Sequence, residues 1–420
     1  MNHKDRFTAS IEHRTGDRMA IDCGATPVSG MHVSCVAALR AHYGLTAKPV
    51  KVTEPYQMLG EVDEELLDIL DIDVVGIAPR KTIFGFANEG WKPWRTPWRQ
   101  EVLVSEHFVT KSDASGNVYI HPEGDPSAPA SGHMPASGYF FDTIIRQPQR
   151  DLDLDTCDVA DNLEEFDHYT EADLDHYASE VARCEATERA IIANIGGTAL
   201  GDIALVPAPF LKQPKGLRDI AEWYMGLVSH PHYAGAIFDR QVELALSNLQ
   251  RLHARVGNRL DAVMLCGTDF GTQSGTFCSP TTFQDMWLPR YRQITDWIHQ
   301  HTSWKCFKHS CGAVAKFVPL FIEAGFDILN PVQCSATGMD PATLKSANGA
   351  DIVFWGGGID TQQVLPFGSP DEVAAQVQER CRIFAPGGGF VFNSIHNVQA
   401  LTPIDNLVAC LETARDWRNA

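Results

Sequence analysis

No run of about 18 apolar residues occurs in the chain, so no transmembrane helix is expected. The opening Met1-Asn2-His3-Lys4-Asp5-Arg6 has no apolar core, and no secretory signal is expected from it. Cations are in short supply: 34 Lys and Arg stand against 53 Asp and Glu, a net charge of −19. That deficit disfavours nucleic acid and anionic membranes as partners and leaves room for a basic protein. Cysteine is sparse for 420 residues, odd in number at 11, and scattered. Cys266, Cys306 and Cys334 sit in apolar strand-like runs, which suits reduced thiols in a cytoplasm better than a disulfide framework. Gly356-Gly357-Gly358 and Gly387-Gly388-Gly389 carry neither a P-loop lysine nor a dinucleotide fingerprint, so phosphate is a weak reading of both. The first run follows a strand, where close approach of a ligand to the backbone is expected; the second ends a helix and turns the chain.

What is present is a repeating unit. From residue 190 onward, apolar strands alternate with helical patterns. The strands are expected at Ala190–Gly197, Ala262–Asp269, Trp304–Gly312, Phe326–Gln333, Ile352–Gly358 and Gly389–Ser394. The helices are expected at 215–256 (with Gly235 as a weak point), 280–300, 341–347, 370–384 and 403–415. Two earlier strands, at Arg18–Gly24 and Asp73–Ala78, complete about eight units, with helices at 4–17, 29–43 and 61–70. Apolar strands alternating with helices imply a parallel sheet covered on both faces, and eight units fit a (β/α)8 TIM barrel of the α/β class. The chain is expected to be one barrel domain over 1–420, with a β-hairpin-rich insertion at about 85–150. There Trp91, Trp94 and Trp98 crowd together, and Ser115-Gly116-Asn117 supplies a hairpin turn. The acidic stretch 150–186 reads as an outer helical layer.

In such a barrel ligands sit at the carboxyl ends of the strands. The polar residues there are Asp22, Asp269, His309, Cys311, Gln333, Asp360 and His396, which converge on one mouth and point to an enzyme. The strongest chemical signal is Lys308-His309-Ser310-Cys311-Gly312. A His and a Cys one residue apart on extended chain can face the same side and ligate zinc or a similar borderline metal. A buried free Cys packed beside a hydrogen-bonded His is the competing reading.

The segments "FKHSCGAV", "AGFDILNPVQ", "IVFWGGGIDTQQVLPFG" and "SIHNVQALTPIDNL", with "GTDFGTQSG" and "DRMAIDCGAT" upstream, resemble the uroporphyrinogen decarboxylase-like superfamily. Within it the chain is closer to the cobalamin-dependent methyltransferase branch; residues 85–185 match poorly. The resemblance implies a (β/α)8 barrel. It also implies a methyl group moved between a small molecule and a corrinoid carried by a partner protein, or a thiol, with zinc assisting. True decarboxylases neutralise propionates with an arginine-rich N-terminal motif, and Ile21–Gly30 contains no arginine, which counts against that substrate. Methyltransferases of this branch hold zinc through His-x-Cys and a later Cys. His309 and Cys311 match the first two, and where the third is expected this chain has Ser394 and His396. His396 is therefore the expected third ligand. Asp269 and His396 are the expected proton-transfer groups, with Asp22, Gln273, Gln333 and Asp360 at the substrate. The alternative is a metal-independent decarboxylase or lyase on a smaller substrate, using Asp269 and His396. By analogy with the superfamily a homodimer is expected.

Overall fold

The computed structural model describes residues 1–147, 152–163 and 167–418. Eight parallel strands form its centre: β1 (Ala20–Ile21), β2 (Val74–Ile77), β3 (Ala190–Asn194), β4 (Ala262–Cys266), β5 (Lys305–His309), β6 (Ile328–Asn330), β7 (Val353–Trp355) and β8 (Phe390–Phe392). Their spatial order is β1-β8-β7-β6-β5-β4-β3-β2. The sheet is thus a nearly closed barrel, with helices around it. Strand alternation sorts the side chains into two cores. Ala20, Val74, Ile192, Met264, Phe307, Ile328, Trp355 and Val391 fill the interior. Ile191, Val263, Cys306, Leu329, Phe354 and Phe390 belong to the layer shared with the helices. The helix His3–Ile11 plugs the floor, where the Phe7 ring meets Trp355 edge-on at 5.8 Å.

The seam between β1 and β2 is closed by side chains. Asp73 is fully buried; its N–H donates to Ile21 O (2.9 Å), and its carboxylate accepts from Ile21 N (2.8 Å). Arg18 and Arg6 each reach that carboxylate at 2.6 Å. Higher on the seam, a Cβ on Gly76 would lie 1.6 Å from Ala25 O, so only glycine lets the two segments approach.

Helix boundaries follow local chemistry. Pro370–Phe384 starts with a Ser369/Glu372 capping box and a proline in the first turn. The pattern over 215–256 resolves into Ile220–Ser229 and Pro231–Val256. The break falls at His230-Pro231, because the residue before proline avoids helical backbone, and not at Gly235. Gly235 stays helical and accepts from Arg290 at its carbonyl. The stretch 150–186 contributes one α-helix, Glu171–Glu185, and a short 3-10 turn at Val159–Asn162; residues 150–151 and 164–166 lie outside the described residues.

The insertion comprises two four-stranded sheets. One contains the expected hairpin, Thr110–Ser112 with Val118–Ile120, turned at Gly116 (φ +84°) and pinned by Asp113. The other pairs Lys92–Arg95 and Glu101–Val104 with Val50–Glu54 and Leu59–Gly60. The β-excursion therefore draws in chain that precedes β2, earlier than the expected start near 85. The three tryptophans separate: Trp94 packs on Phe108, Trp98 on His32 and Tyr139, and Trp91 is exposed. His32 clasps excursion to barrel through Nε2–H to Tyr139 O (3.0 Å).

The glycine runs also settle. Gly357 lies against Val332 and Gly358 against the Phe392 ring, so the 356–358 run serves strand-to-strand contact and not a ligand. Gly388 packs on the Arg14 backbone.

At the barrel floor, Asp327 accepts from Cys306 N (2.7 Å) and pairs with His299 (2.8 Å) and Lys305 (3.4 Å). The Asp327 hydrogen bond raises the His299 pKa above 6.5, and although burial opposes it, His299 helps lower Asp327 below 3.8. A raised His stabilises the fold below its unfolded value and loses that as pH climbs through its folded value; a lowered Asp does the reverse at the acid end. Stability from this pair is expected to plateau between about pH 4 and 6.5 and to fall on either side. His299→Gln should flatten the alkaline shoulder in denaturation midpoints taken across pH; an unchanged shoulder would refute the assignment.

Candidate metal and substrate site

His309 closes β5 two residues after the interior Phe307, so the period of the strand turns its imidazole inward at the carboxyl end. Its Nδ1 lies 2.6 Å from Asn330 Oδ1, and the Asn330 amide nitrogen donates to Trp355 O (2.9 Å). That chain orients the amide with its oxygen toward His309. It places the imidazole proton on Nδ1 and leaves the Nε2 lone pair for the cavity. Cys311 Sγ lies 3.4 Å from Nε2. The loop holding the thiol is fastened at three points: Ser310 N to Asn330 O, Cys311 N to Asp269 Oδ1 and Gly312 N to Gln333 Oε1, each 2.7 Å. Gly312 (φ +86°) passes against Gly271, where a Cβ would sit 2.4 Å from a backbone carbon.

His396, beyond β8, brings its ring to 5.5 Å from that of His309. Ser394 donates to His396 O (2.6 Å), a role in shaping the loop. His309, Cys311 and His396 each present a ligand atom, and the three lie within 4.8 Å of one another. Burial pushes His309 down to about 4 and lowers His396, so both are neutral imidazoles near pH 7. Burial, reinforced by Asp269, pushes the Cys311 thiol well up. Two neutral imidazoles and a thiol that needs a cation to ionise form a donor set suited to a divalent metal.

These groups open on a cavity of about 1750 Å³ whose wall includes Asp269, His309 and His396. The expected substrate residues do not share that wall. Asp22 is buried, accepting from Trp355 Nε1 and Ala25 N (both 2.9 Å), and borders a separate narrow cleft. Gln273 is exposed on a turn, where its carbonyl takes Thr337 N. Gln333 holds the Gly312 amide. Asp360 takes the amides of Gln362 and Gln363, starting the helix Val364–Phe367. Each is explained by the fold: a strand-end polar group in a short loop is most often used by its own backbone.

Several carboxylates reach the wall that residue patterns did not single out, Asp202 and Glu54 among them. Asp202 stands in the loop after β3, and Glu54 ends the excursion strand Val50–Glu54. The period-two step from Ile328 to Asn330 was the available signal for a further missed group, the partner of His309.

The family model for uroporphyrinogen decarboxylase (URO-D) matches residues 213–417. That stretch carries Asp269, His309, Cys311 and His396, so this half of the chain, with the residues just named, is similar to the uroporphyrinogen decarboxylase family. Among solved structures, a methyltransferase from Methanosarcina mazei superposes with a TM-score of 0.53 at 13% identity, over 99% of this chain and 98% of that one. At that identity it shows the fold, a TIM-type barrel. An endo-glycoceramidase II from Rhodococcus sp. overlaps 61% of this chain and 68% of its own at a TM-score of 0.36 and 14% identity. No curated protein matches in sequence. Among the described residues no helix is long and apolar enough to cross a membrane.

Proposed function

We propose that the chain is a methyltransferase in which His309, Cys311 and His396 hold a zinc ion at the floor of the cavity. The observation that carries this reading is the convergence of the three donors from two separate segments, with Asn330 fixing the His309 tautomer. Methyl transfer as the chemistry is favoured by the resemblance of the quoted segments and by the methyltransferase sharing the fold over nearly the whole chain. When bound, zinc would lower the pKa of a thiol or oxygen on the methyl acceptor or donor, and a corrinoid on a partner protein would carry the methyl group.

The chain's own residues then have separable tasks. Asn330 keeps Nε2 of His309 directed at the cavity. Gln333 and Asp269 hold the backbone of Cys311-Gly312, so the thiol is presented without flexibility in its loop. Lys308, facing away from the interior, donates to Thr268 O and His309 O (both 2.6 Å) and ties the Asp269 loop to β5. Asp269 has a second oxygen available to accept a proton from the small molecule as it binds.

Methyl transfer from methylcobalamin to a small thiol, followed by the cobalamin spectrum, tests the reading. His309→Ala and Cys311→Ser should each lower the rate at least ~10–100-fold, the loss typical of disturbing even the outer partners of a metal. Rates and metal content untouched in both variants would dispose of the site. A folded, metal-free protein would favour proton transfer by Asp269 and His396 in a decarboxylase or lyase.

A further inference from the structure

Among the described residues, two further clusters of metal-competent side chains lie at the amino end of the barrel, away from the cavity. His3, Asp71 and Asp73 form one, and cations already fill it. Arg6 and Arg18 each take the Asp73 carboxylate at 2.6 Å, and Arg18 also takes Asp71 at 2.8 Å. His299, Cys306 and Asp327 form the other, each offering a ligand atom within 4.8 Å of the rest.

Three separate elements deliver these donors, and local bonds hold them in place. Cys306 is the second residue of β5, with its side chain in the layer shared with the helices. Asp327 immediately precedes β6 and is locked to Cys306 twice. Its N–H donates to Cys306 O (3.0 Å), while Cys306 N donates to Asp327 Oδ2 (2.7 Å). His299 lies in the last turn of the helix Leu288–His301. One turn earlier, Thr295 Oγ1 donates to Ala324 O (2.7 Å) and ties that helix to the chain leading into β6. Cys306 is fully buried, and its Sγ makes no hydrogen bond among the described residues. The His299 and Asp327 side chains are 38% and 22% exposed, so the cluster opens to solvent on one side.

The spacing is close to that around a bound ion. Zinc bonds of ~2.0 Å to nitrogen and oxygen, at a tetrahedral angle, put those two atoms ~3.3 Å apart. His299 Nε2 and Asp327 Oδ2 stand 2.8 Å apart, so they need to part by only ~0.5 Å. The charges balance as well. One thiolate and one carboxylate cancel a divalent ion, and a neutral unit suits a site whose inner side is the core. Lys305 engages the other oxygen, Oδ1 (3.4 Å), and leaves Oδ2 facing the imidazole.

We propose that His299, Cys306 and Asp327 form a second metal site, which takes zinc or a similar borderline divalent ion and fastens the helix Leu288–His301 to β5 and β6. On binding, the Cys306 thiol and His299 Nε2 release their protons to solvent, and water supplies the fourth ligand from the exposed side. This site is weaker than the one in the cavity, because the ion must displace the His299–Asp327 hydrogen bond and sit beside the Lys305 ammonium. It therefore fills when metal is added, and purification without added metal leaves it empty. The proposal is independent of the cavity's metal and of the reaction there.

Cobalt(II) titrated into the chelator-stripped, full-length Cys311→Ser protein tests it, because a cobalt–thiolate bond gives a charge-transfer band in the near ultraviolet. With Cys311 gone, that band should still develop, to about one cobalt per chain. Adding Cys306→Ser should abolish the band, and adding His299→Ala should weaken cobalt binding ~10-fold or more. Excess zinc should raise the melting temperature of Cys311→Ser, and should not when His299→Ala is also present. No thiolate band in Cys311→Ser would overturn the proposal. So would a band that survives Cys306→Ser, or an affinity and melting shift that His299→Ala leaves unchanged. His299 is at the surface, so its variant decides the matter even where Cys306→Ser does not fold.

Discussion

Protein purified without chelator should carry about one zinc per chain, and Cys311→Ser should carry little. The loss should be large because the two remaining imidazoles supply no charge to offset the desolvation of a divalent ion. Asn330→Ala is the more discriminating variant. It removes no ligand, yet it frees His309 to rotate and to move its proton to Nε2, where it would block coordination. A weakening of ~10–100-fold in competition with a chromophoric chelator is expected, as for other outer partners of metal-bound histidines. Because the Cys311 thiol is raised by burial and by Asp269, binding should release a proton and tighten with rising pH. If His396→Ala retains zinc, the third ligand is another group. Cys334 is poorly placed, since its Sγ donates to Val332 O (3.3 Å), which leaves Asp269 next in line. No zinc in the folded wild type would remove the metal from the mechanism altogether.

The second large effect concerns the fold. Asp73→Ala should destabilise the protein by ~3–5 kcal/mol, the cost of leaving a buried charge without its partner. Arg18, only 2% exposed, would keep Asp71 but lose the carboxylate that aligns it, and β1 would lose the acceptor for Ile21 N. A surface pair such as Arg255–Glu171 should cost ~0–1 kcal/mol in the same urea titration, because water and salt already screen it. Asp73→Asn should fall between the two, retaining a hydrogen-bond acceptor while losing the charge. A shift under ~1 kcal/mol for Asp73→Ala would mean the seam is held by packing alone.

The barrel was legible because its strands announce themselves. Apolar runs such as Ala190–Ala193 and Ala262–Cys266 can only be satisfied with both faces covered, and the helical pattern over 370–384 matches the observed helix Pro370–Phe384. The His-x-Cys pair was legible for the same local reason, since two donors on extended chain share a side. Less was legible where a residue's surroundings depend on distant partners. Asp22, Gln273, Gln333 and Asp360 stand at strand ends or in the loops after them, as expected, yet their hydrogen bonds go to Trp355, to turns and to neighbouring amides. Val50–Glu54 was not singled out in the sequence; it is a strand of the excursion, paired at Glu54 with Leu59, and Glu54 reaches the cavity wall.

The sequence by itself determined the class of fold, the absence of an arginine-rich motif near Ile21 and the His-x-Cys pair as candidate donors, because periodicity and side-chain chemistry are local properties. Only the tertiary structure decided that His396 meets His309, that Asn330 sets the imidazole's proton and that Asp202 and Glu54 reach the cavity wall. Those are relations between groups up to hundreds of residues apart, and closure of the barrel is what brings them within a few ångströms.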